Sequence, residues 1–319
     1  MALLDQQQME RISPFFGTGV GRVTGRALKK LLRLDAFADC YDRSAADGAT
    51  GPDFARNVLL QTGADYRVAG IERLKALAGR GPFITVSNHP YGGMDGIILV
   101  DMLGHLFPDF KVLVNKILAL LEAMGPSFIT VTPTGKERTA PTRDSINGIR
   151  LAMQHIRDGH PLGIFPAGAV SDMDRKTRVV SDREWQDPII RLIRKVNVPV
   201  VPVRFFDGNS DFYYKLGWID WKVRLLRLPT EVINKGGQQI RVGIGEPLMP
   251  EEQARFTDLA AFRDHLRSLV YDMPLPAHFT PRAGLGLEAP LDTAFGPTVP
   301  GEPKRPDVAG AGESGSGAS

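Results

Sequence analysis

The chain has 319 residues, a formal net charge of +3, 43% hydrophobic and 24% charged residues, which is the profile of a globular protein with a substantial core. Its one cysteine, Cys40, excludes an intramolecular disulfide and fits a reducing compartment. Six histidines with no His-x-x-x-His pair argue against a metal centre, no run approaches the roughly 18 apolar residues of a membrane span, and the first residues lack a secretory pattern. An intracellular protein without a nucleic-acid partner is expected.

Residues 1–64 read as a helical N-terminal region. Within it, Gly21 to Leu34 is basic, with Arg22, Arg26, Lys29, Lys30 and Arg33, and has an apolar side of Val23, Leu28, Leu31 and Leu32. Such a segment is either a helix lying on an anionic membrane or a solvated helix packed on the domain. Cys40 reads as structural. Tyr66 to Gly70 suits a first strand and turn. Two apolar runs, Phe83 to Val86 and Ile97 to Val100, then flank Asn88-His89-Pro90-Tyr91-Gly92-Gly93-Met94-Asp95-Gly96. A histidine and a carboxylate sharing a Gly-rich turn between buried segments are the parts of a general base and its orienting partner. The same composition also makes an ordinary turn.

Lys111 to Val114 and Ser127 to Val131 are strand-like. Asp144 to Arg157 is a helix, with Ile146, Ile149, Met153 and Ile156 recurring on one face, ended by Gly159 and Pro161. Leu162 to Phe165 reads as a buried strand. Asp187-Pro188 opens a helix whose apolar face is Ile189, Ile190, Ile193 and Val196. Val198 to Phe206 is a further strand, irregular or at an edge because of Pro199 and Pro202. Trp218, Trp221, Leu225 and Leu228 share one helical face among Lys222, Arg224 and Arg227. That segment is either an interfacial membrane anchor or a strand in the core. Gln239 to Ile244 is a strand, and Thr257 to Tyr271 a helix with Leu259, Phe262, Leu266 and Leu269 on one side. Strands alternating with helices predict an α/β fold, a mixed and mostly parallel sheet flanked by helices, over residues 65–273. Residues 274–319 hold eight of the 24 prolines and end in small residues, which predicts a disordered Pro/Gly-rich tail.

Three segments join His89 in sequence order. They are Phe128 to Val131 leading to Gly135-Lys136-Glu137-Arg138, then Phe165-Pro166-Ala167-Gly168-Ala169-Val170-Ser171, then Val200-Val201-Pro202-Val203. Together these blocks resemble the glycerolipid (1-acyl-glycerol-3-phosphate acyltransferase-like) acyltransferases over roughly residues 65–250. The Asn-His-Pro-x-Gly-Gly-x-Asp-Gly form is closest to their bacterial hemolysin-like branch, which includes lyso-ornithine and lyso-glycine lipid acyltransferases. The pattern departs from the family twice. Five residues separate His89 from Asp95 where the family has four, and Ala167 and Val170 stand where the family has Glu and Arg. The family's Arg usually contacts the acceptor's phosphate, so a lysophosphatidate acceptor is disfavoured here.

The resemblance implies transfer of an acyl group to a lysolipid hydroxyl from a thioester, acyl-CoA or acyl carrier protein, a co-substrate rather than a tightly bound cofactor. His89 would be the general base and Asp95 its orienting partner. Asn88, Lys136, Arg138, Phe165, Pro166 and Gly168 would contact substrate, with backbone amides near Gly168 meeting the oxyanion. A cytoplasmic enzyme resting on the inner membrane would follow. Two rivals remain on the sequence: a lipid hydrolase using the same pair, for which no Gly-x-Ser-x-Gly elbow exists and Ser87 is poorly aimed, and a membrane-associated, non-catalytic scaffold.

Overall fold

The computed structural model describes residues 33–131, 143–219 and 221–288. In chain order the elements are α1 (Leu34–Ser44), α2 (Gly51–Thr62), β1 (Asp65–Ala69), α3 (Ile71–Lys75), β2 (Ile84–Ser87), α4 (Met94–Leu106), β3 (Lys111–Asn115), β4 (Phe128–Val131), α5 (Arg143–Arg157), β5 (Leu162–Ile164), the hairpin β6 (Asp172–Met173) and β7 (Val180–Ser181), α6 (Asp187–Val196), β8 (Val200–Phe205), α7 (Asp211–Leu216), α8 (Trp221–Leu226), α9 (Leu228–Ile233), β9 (Gln239–Ile244), α10 (Pro250–Gln253), α11 (Leu259–Tyr271) and β10 (Thr280–Pro281).

Eight strands form one sheet in the order β10-β1-β9-β8-β2-β5-β3-β4. The block β8-β2-β5-β3-β4 is parallel throughout, β9 turns antiparallel to β8, and β1 runs parallel to β9. The sheet is therefore mixed and mostly parallel, and helices cover both faces as such sheets require. One core joins α2 and α4 to the sheet through Phe54, Val58, Leu99, Leu103, Val201 and Val203. The opposite core joins α5, α6 and α11 through Ala152, Ile190, Ile193, Leu266, Ile84 and Val86. Every residue of β2 is buried, so its apolar run is continuous rather than alternating.

The apolar run Ile97 to Val100 lies in a helix, α4, buried nearly all round; an apolar run by itself does not distinguish a buried strand from a buried helix. Three expectations need correction. β8 is central, between β2 and β9, despite Pro202. The Pro202 carbonyl accepts the Gly245 N–H at 2.8 Å, so its ring nitrogen faces the same side, at the end of β9, and the bond it cannot donate is missing only there and not from the β2 ladder. α1 and α2 do not form a unit apart from the sheet, because Cys40, Phe54 and Leu59 belong to the same core as α4. Cys40 is buried there, and burial pushes its thiol up.

The third correction concerns the tail. Residues 274–288 are part of the folded unit. Thr280 and Pro281 pair with β1, Leu285 and Leu287 are buried, and Arg282 reaches Asp101 in the middle of α4 with two contacts of 2.7 Å. Asp101 also accepts the Tyr66 hydroxyl at 2.7 Å, and these partners hold its carboxyl below the usual range against the opposing effect of burial. Composition missed this because the prolines and β10 itself are exposed, while the tethers are a strand pairing with β1 and the reach of Arg282 to Asp101, 181 positions away. Residues 21–32 of the basic segment, and the rest of the expected tail beyond Glu288, lie outside the described residues.

Candidate active site

Because β2, β5 and β8 are parallel neighbours, their C-terminal ends share one edge of the sheet, where open α/β sheets gather ligands. β2 delivers Asn88 and His89 to that edge, β5 delivers Phe165 to Gly168, and β8 delivers the loop through Asn209.

His89 Nδ1 donates to Asp95 Oδ2 across 2.9 Å. Asp95 has no exposed surface, and its Oδ2 also accepts the main-chain N–H groups of Tyr91 and Gly92 at 3.0 and 3.2 Å. With amides as its other donors, the carboxylate fixes the ring proton on Nδ1 and leaves Nε2 as the basic nitrogen. Burial disfavours the imidazolium, but the Asp95 carboxylate, with Asp182 behind it, favours it more, and the His89 pKa is raised above the usual 6.5. The ring remains 17% exposed, so it is reachable.

The five-residue spacing is absorbed at Gly92, whose φ is +75°. A Cβ there would lie 2.5 Å from Val170 Cγ2 and 2.9 Å from Leu228 Cδ2. Val170, standing where the family carries Arg, thus packs against the turn that carries the dyad. A cation comes close from elsewhere: Arg224 of α8, buried, donates to the carbonyls of Ser171 and Val170 at 3.1 and 3.3 Å and pairs with Asp172 at 2.6 Å.

The other expected site residues divide. Phe165 lies against His89, ring centroids 4.1 Å apart and planes tilted by 30°, and so helps fix the imidazole's position. Pro166 is buried, and its carbonyl accepts Gln186 N–H at 3.0 Å. Gly168 is exposed beside them with φ +64°, and its N–H donates to the Phe165 carbonyl at 3.0 Å. That amide is spent on the turn. Asn88, expected to touch substrate, is instead a brace: its side chain donates to the Phe205 carbonyl at 2.9 Å and accepts the Phe205 N–H at 2.8 Å, extending the β2–β8 ladder by one step. Lys136 and Arg138 lie outside the described residues. Ser87 is fully buried in β2.

Sequence reading missed Asp182. Its Oδ1 accepts the His89 main-chain N–H at 3.1 Å and the Ser171 hydroxyl at 2.6 Å, its Oδ2 accepts the Trp185 indole N–H at 3.1 Å, and its own N–H donates to the Tyr271 hydroxyl at 2.7 Å. The carboxylate thereby ties the end of β2 to the β5 loop, and the residue's own N–H adds α11. No local motif announces it, since its partners lie up to 93 positions away.

The segment around Trp218 is helical, not a strand, but it is broken into α7, α8 and α9. Trp218 and Leu228 pack inward on Val170, Met173, Tyr213 and Tyr214, whereas Trp221 and Leu225 are exposed. The single face expected for these four residues is therefore split in two. Among the described residues, no helix is long and apolar enough to cross a membrane, and no three His, Cys, Asp or Glu side chains gather as metal ligands do.

A family model described as Acyltransferase matches residues 48–272. Among curated proteins, the chain is 29% identical over 253 residues to a lyso-glycine lipid O-acyltransferase of Bacteroides thetaiotaomicron, covering 77% of this chain and 88% of that protein. It is 27% identical over 230 residues to a protein of the same name from Phocaeicola vulgatus, covering 70% and 78%.

Proposed function

The chain belongs to the acyltransferase family, and on that premise we propose that it moves a fatty acyl group from a thioester to the hydroxyl of a lyso-amino lipid, a lyso-glycine lipid being the favoured acceptor. The observation that carries the reading is the 2.9 Å contact of His89 with a fully buried Asp95 at the ligand-binding edge of the sheet. His89 Nε2 takes the acceptor's hydroxyl proton as its oxygen attacks the thioester carbonyl. Asp95 stabilises the imidazolium that forms. Collapse of the tetrahedral intermediate breaks the C–S bond, and the imidazolium returns its proton to the leaving thiolate. Atoms balance: ester and thiol form from alcohol and thioester, with no covalent acyl-enzyme.

The donor is acyl-CoA or acyl carrier protein, used as a co-substrate. The closed His–Asp distance supports catalysis over a non-catalytic scaffold. The burial of Ser87 supports transfer over hydrolysis through that serine. Access to a membrane-borne acceptor is supported by exposed Phe212, Ile219, Trp221 and Leu225 beside Arg175, Arg178 and Lys215, a mixture suited to the headgroup layer at the cytoplasmic face of the bacterial inner membrane.

The test is an assay of the full chain with acyl-CoA and acyl carrier protein donors against lyso-glycine, lyso-ornithine and lysophosphatidate acceptors, with products identified by mass. Acylation of the amino-lipid acceptors is expected. Turnover confined to lysophosphatidate, or release of free fatty acid alone, would refute the reading.

A further inference from the structure

Beside the catalytic turn, α9 and the loop after β8 enclose a cavity of about 400 Å³ whose polar groups include Asn209, Ser210, Arg227, Glu231 and Lys235. Two cations there share one carboxylate. Lys235 Nζ lies 3.4 Å from Glu231 Oε2 and Arg227 Nε lies 3.8 Å from Glu231 Oε1. Ser210 donates its main-chain N–H and its hydroxyl to the same carboxylate, at 3.2 and 2.9 Å. Glu231 thus accepts from Ser210 as well as facing both cations, and these three side chains leave one positive charge in excess, offset in part by Asp95, whose charge also acts on Lys235. Glu231 and Lys235 are 3% and 2% exposed, so water screens that excess poorly. Among the described residues, two buried atoms on the cavity's lining lack a hydrogen-bond partner: Arg227 Nε, a donor, and Asn209 Oδ1, an acceptor.

The cavity and the dyad are built on the same turn. Asn209 Nδ2 donates to the Tyr91 carbonyl at 2.8 Å, the Tyr214 hydroxyl donates to the Pro90 carbonyl at 2.8 Å, and Lys235 Nζ sits 5.0 Å over the Tyr91 ring. Tyr91 in turn gives its N–H to Asp95. A ligand seated here would meet that turn through Asn209 and Lys235, the two lining residues that contact Tyr91.

Excess positive charge beside an unpartnered acceptor fits a ligand with an anionic group next to an N–H donor. A glycine acylated on nitrogen presents both, a carboxylate and an amide N–H one methylene apart. We propose that this cavity is a carboxylate subsite, in which Arg227 and Lys235 take the carboxylate of an N-acylated amino-acid headgroup and Asn209 Oδ1 takes its amide N–H. The proposal rests on the lyso-amino-lipid reading and deepens it. It supplies headgroup charge recognition in a chain that has Val170 where the family's phosphate-contacting Arg would stand. The phosphates of an acyl-CoA donor share the anionic chemistry, so the test must separate donor from acceptor.

The probes are N-lauroylglycine and its methyl ester, titrated calorimetrically into the full chain and its Arg227→Gln and Arg227→Lys variants, with acceptor and donor KM measured alongside. The acid is expected to bind the wild type at least about tenfold more tightly than the ester, the scale of one charge-assisted pair. Arg227→Gln should remove most of that preference and raise acceptor KM more than it lowers kcat, and Arg227→Lys should restore most of it. Arg227 is partly exposed and packs over the Phe212 ring, outside the core, so the variants should fold. Equal binding of acid and ester by the wild type, or an Arg227→Gln effect confined to donor KM, would overturn the subsite. Acid-selective binding without turnover on any lysolipid would instead sustain the subsite and refute the broader acyltransfer reading.

Discussion

The Asp182 carboxylate accepts the main-chain N–H of His89 at 3.1 Å, joining the end of β2 to a residue 93 positions later. His89 is thus held at two points, its ring by Asp95 and its backbone by Asp182. Asp182→Ala leaves the His89 N–H, the Ser171 hydroxyl and the Trp185 indole without their partner. A loss of about 2–4 kcal/mol in stability is expected, read from urea unfolding. Asp182→Asn keeps the shape and should cost less than half as much. Equal stability of the alanine variant and the wild type would show that the three donors find other partners.

The pH profile follows from the same two carboxylates. The His89 pKa is raised above 6.5, so the base becomes protonated as pH falls and kcat/KM should drop about tenfold per pH unit on the acid limb. The midpoint of that limb should lie above 6.5 and move down in Asp182→Asn. For folding the sign is reversed. The stabilisation from charged His89 is fully present below the unfolded pKa and is lost as pH rises through the folded one. An acid limb centred at or below 6.5 in the wild type would contradict the electrostatics described.

Asp95→Asn removes the group that orients the ring and stabilises the imidazolium. A fall in kcat of roughly 10²–10⁴-fold is expected, with a smaller change in acceptor KM. Steady-state kinetics on the folded variant checks this. A fall of only a few fold would mean that the carboxylate is structural.

Gly92→Ala should expose the constraint behind the altered spacing. A methyl group at φ +75° meets Val170 and Leu228, a strain of about 1–3 kcal/mol. Because Gly92 N–H also holds Asp95, activity should fall more steeply than thermal stability. Adding Val170→Ala should recover part of both. Wild-type activity in the single variant would show that the turn tolerates other geometries.

Much of this was legible in the sequence for physical reasons. Strands such as Lys111 to Val114 and helices such as Asp187 to Val196, with its first-turn proline, are carried by local pattern, and the His89–Asp95 pairing by one short turn. What escaped depends on distant partners. Asp182 looks like any surface aspartate until β2 and the β5 loop converge on it. Pro202 marks an edge strand unless one knows where β9 stops. Trp218 and Trp221 share a helical face only if α7 and α8 are continuous, which they are not.

Arg282 tests the reassigned C-terminal segment. Arg282→Ala leaves the Asp101 carboxylate, which has no exposed surface, with only Tyr66 and His105 beside it, and should cost about 3 kcal/mol. Asp101→Asn together with Arg282→Ala should recover a good part of that loss. Unfolding curves that overlay the wild type would place residues 274–288 outside the cooperative unit.

The most direct measurement is turnover by a folded His89→Ala variant with an acyl thioester and a lyso-glycine lipid. Loss of at least about 10³-fold in kcat, with the melting temperature within a few degrees of wild type, is the predicted result. Equal turnover in the variant and the wild type would show that His89 is not the base.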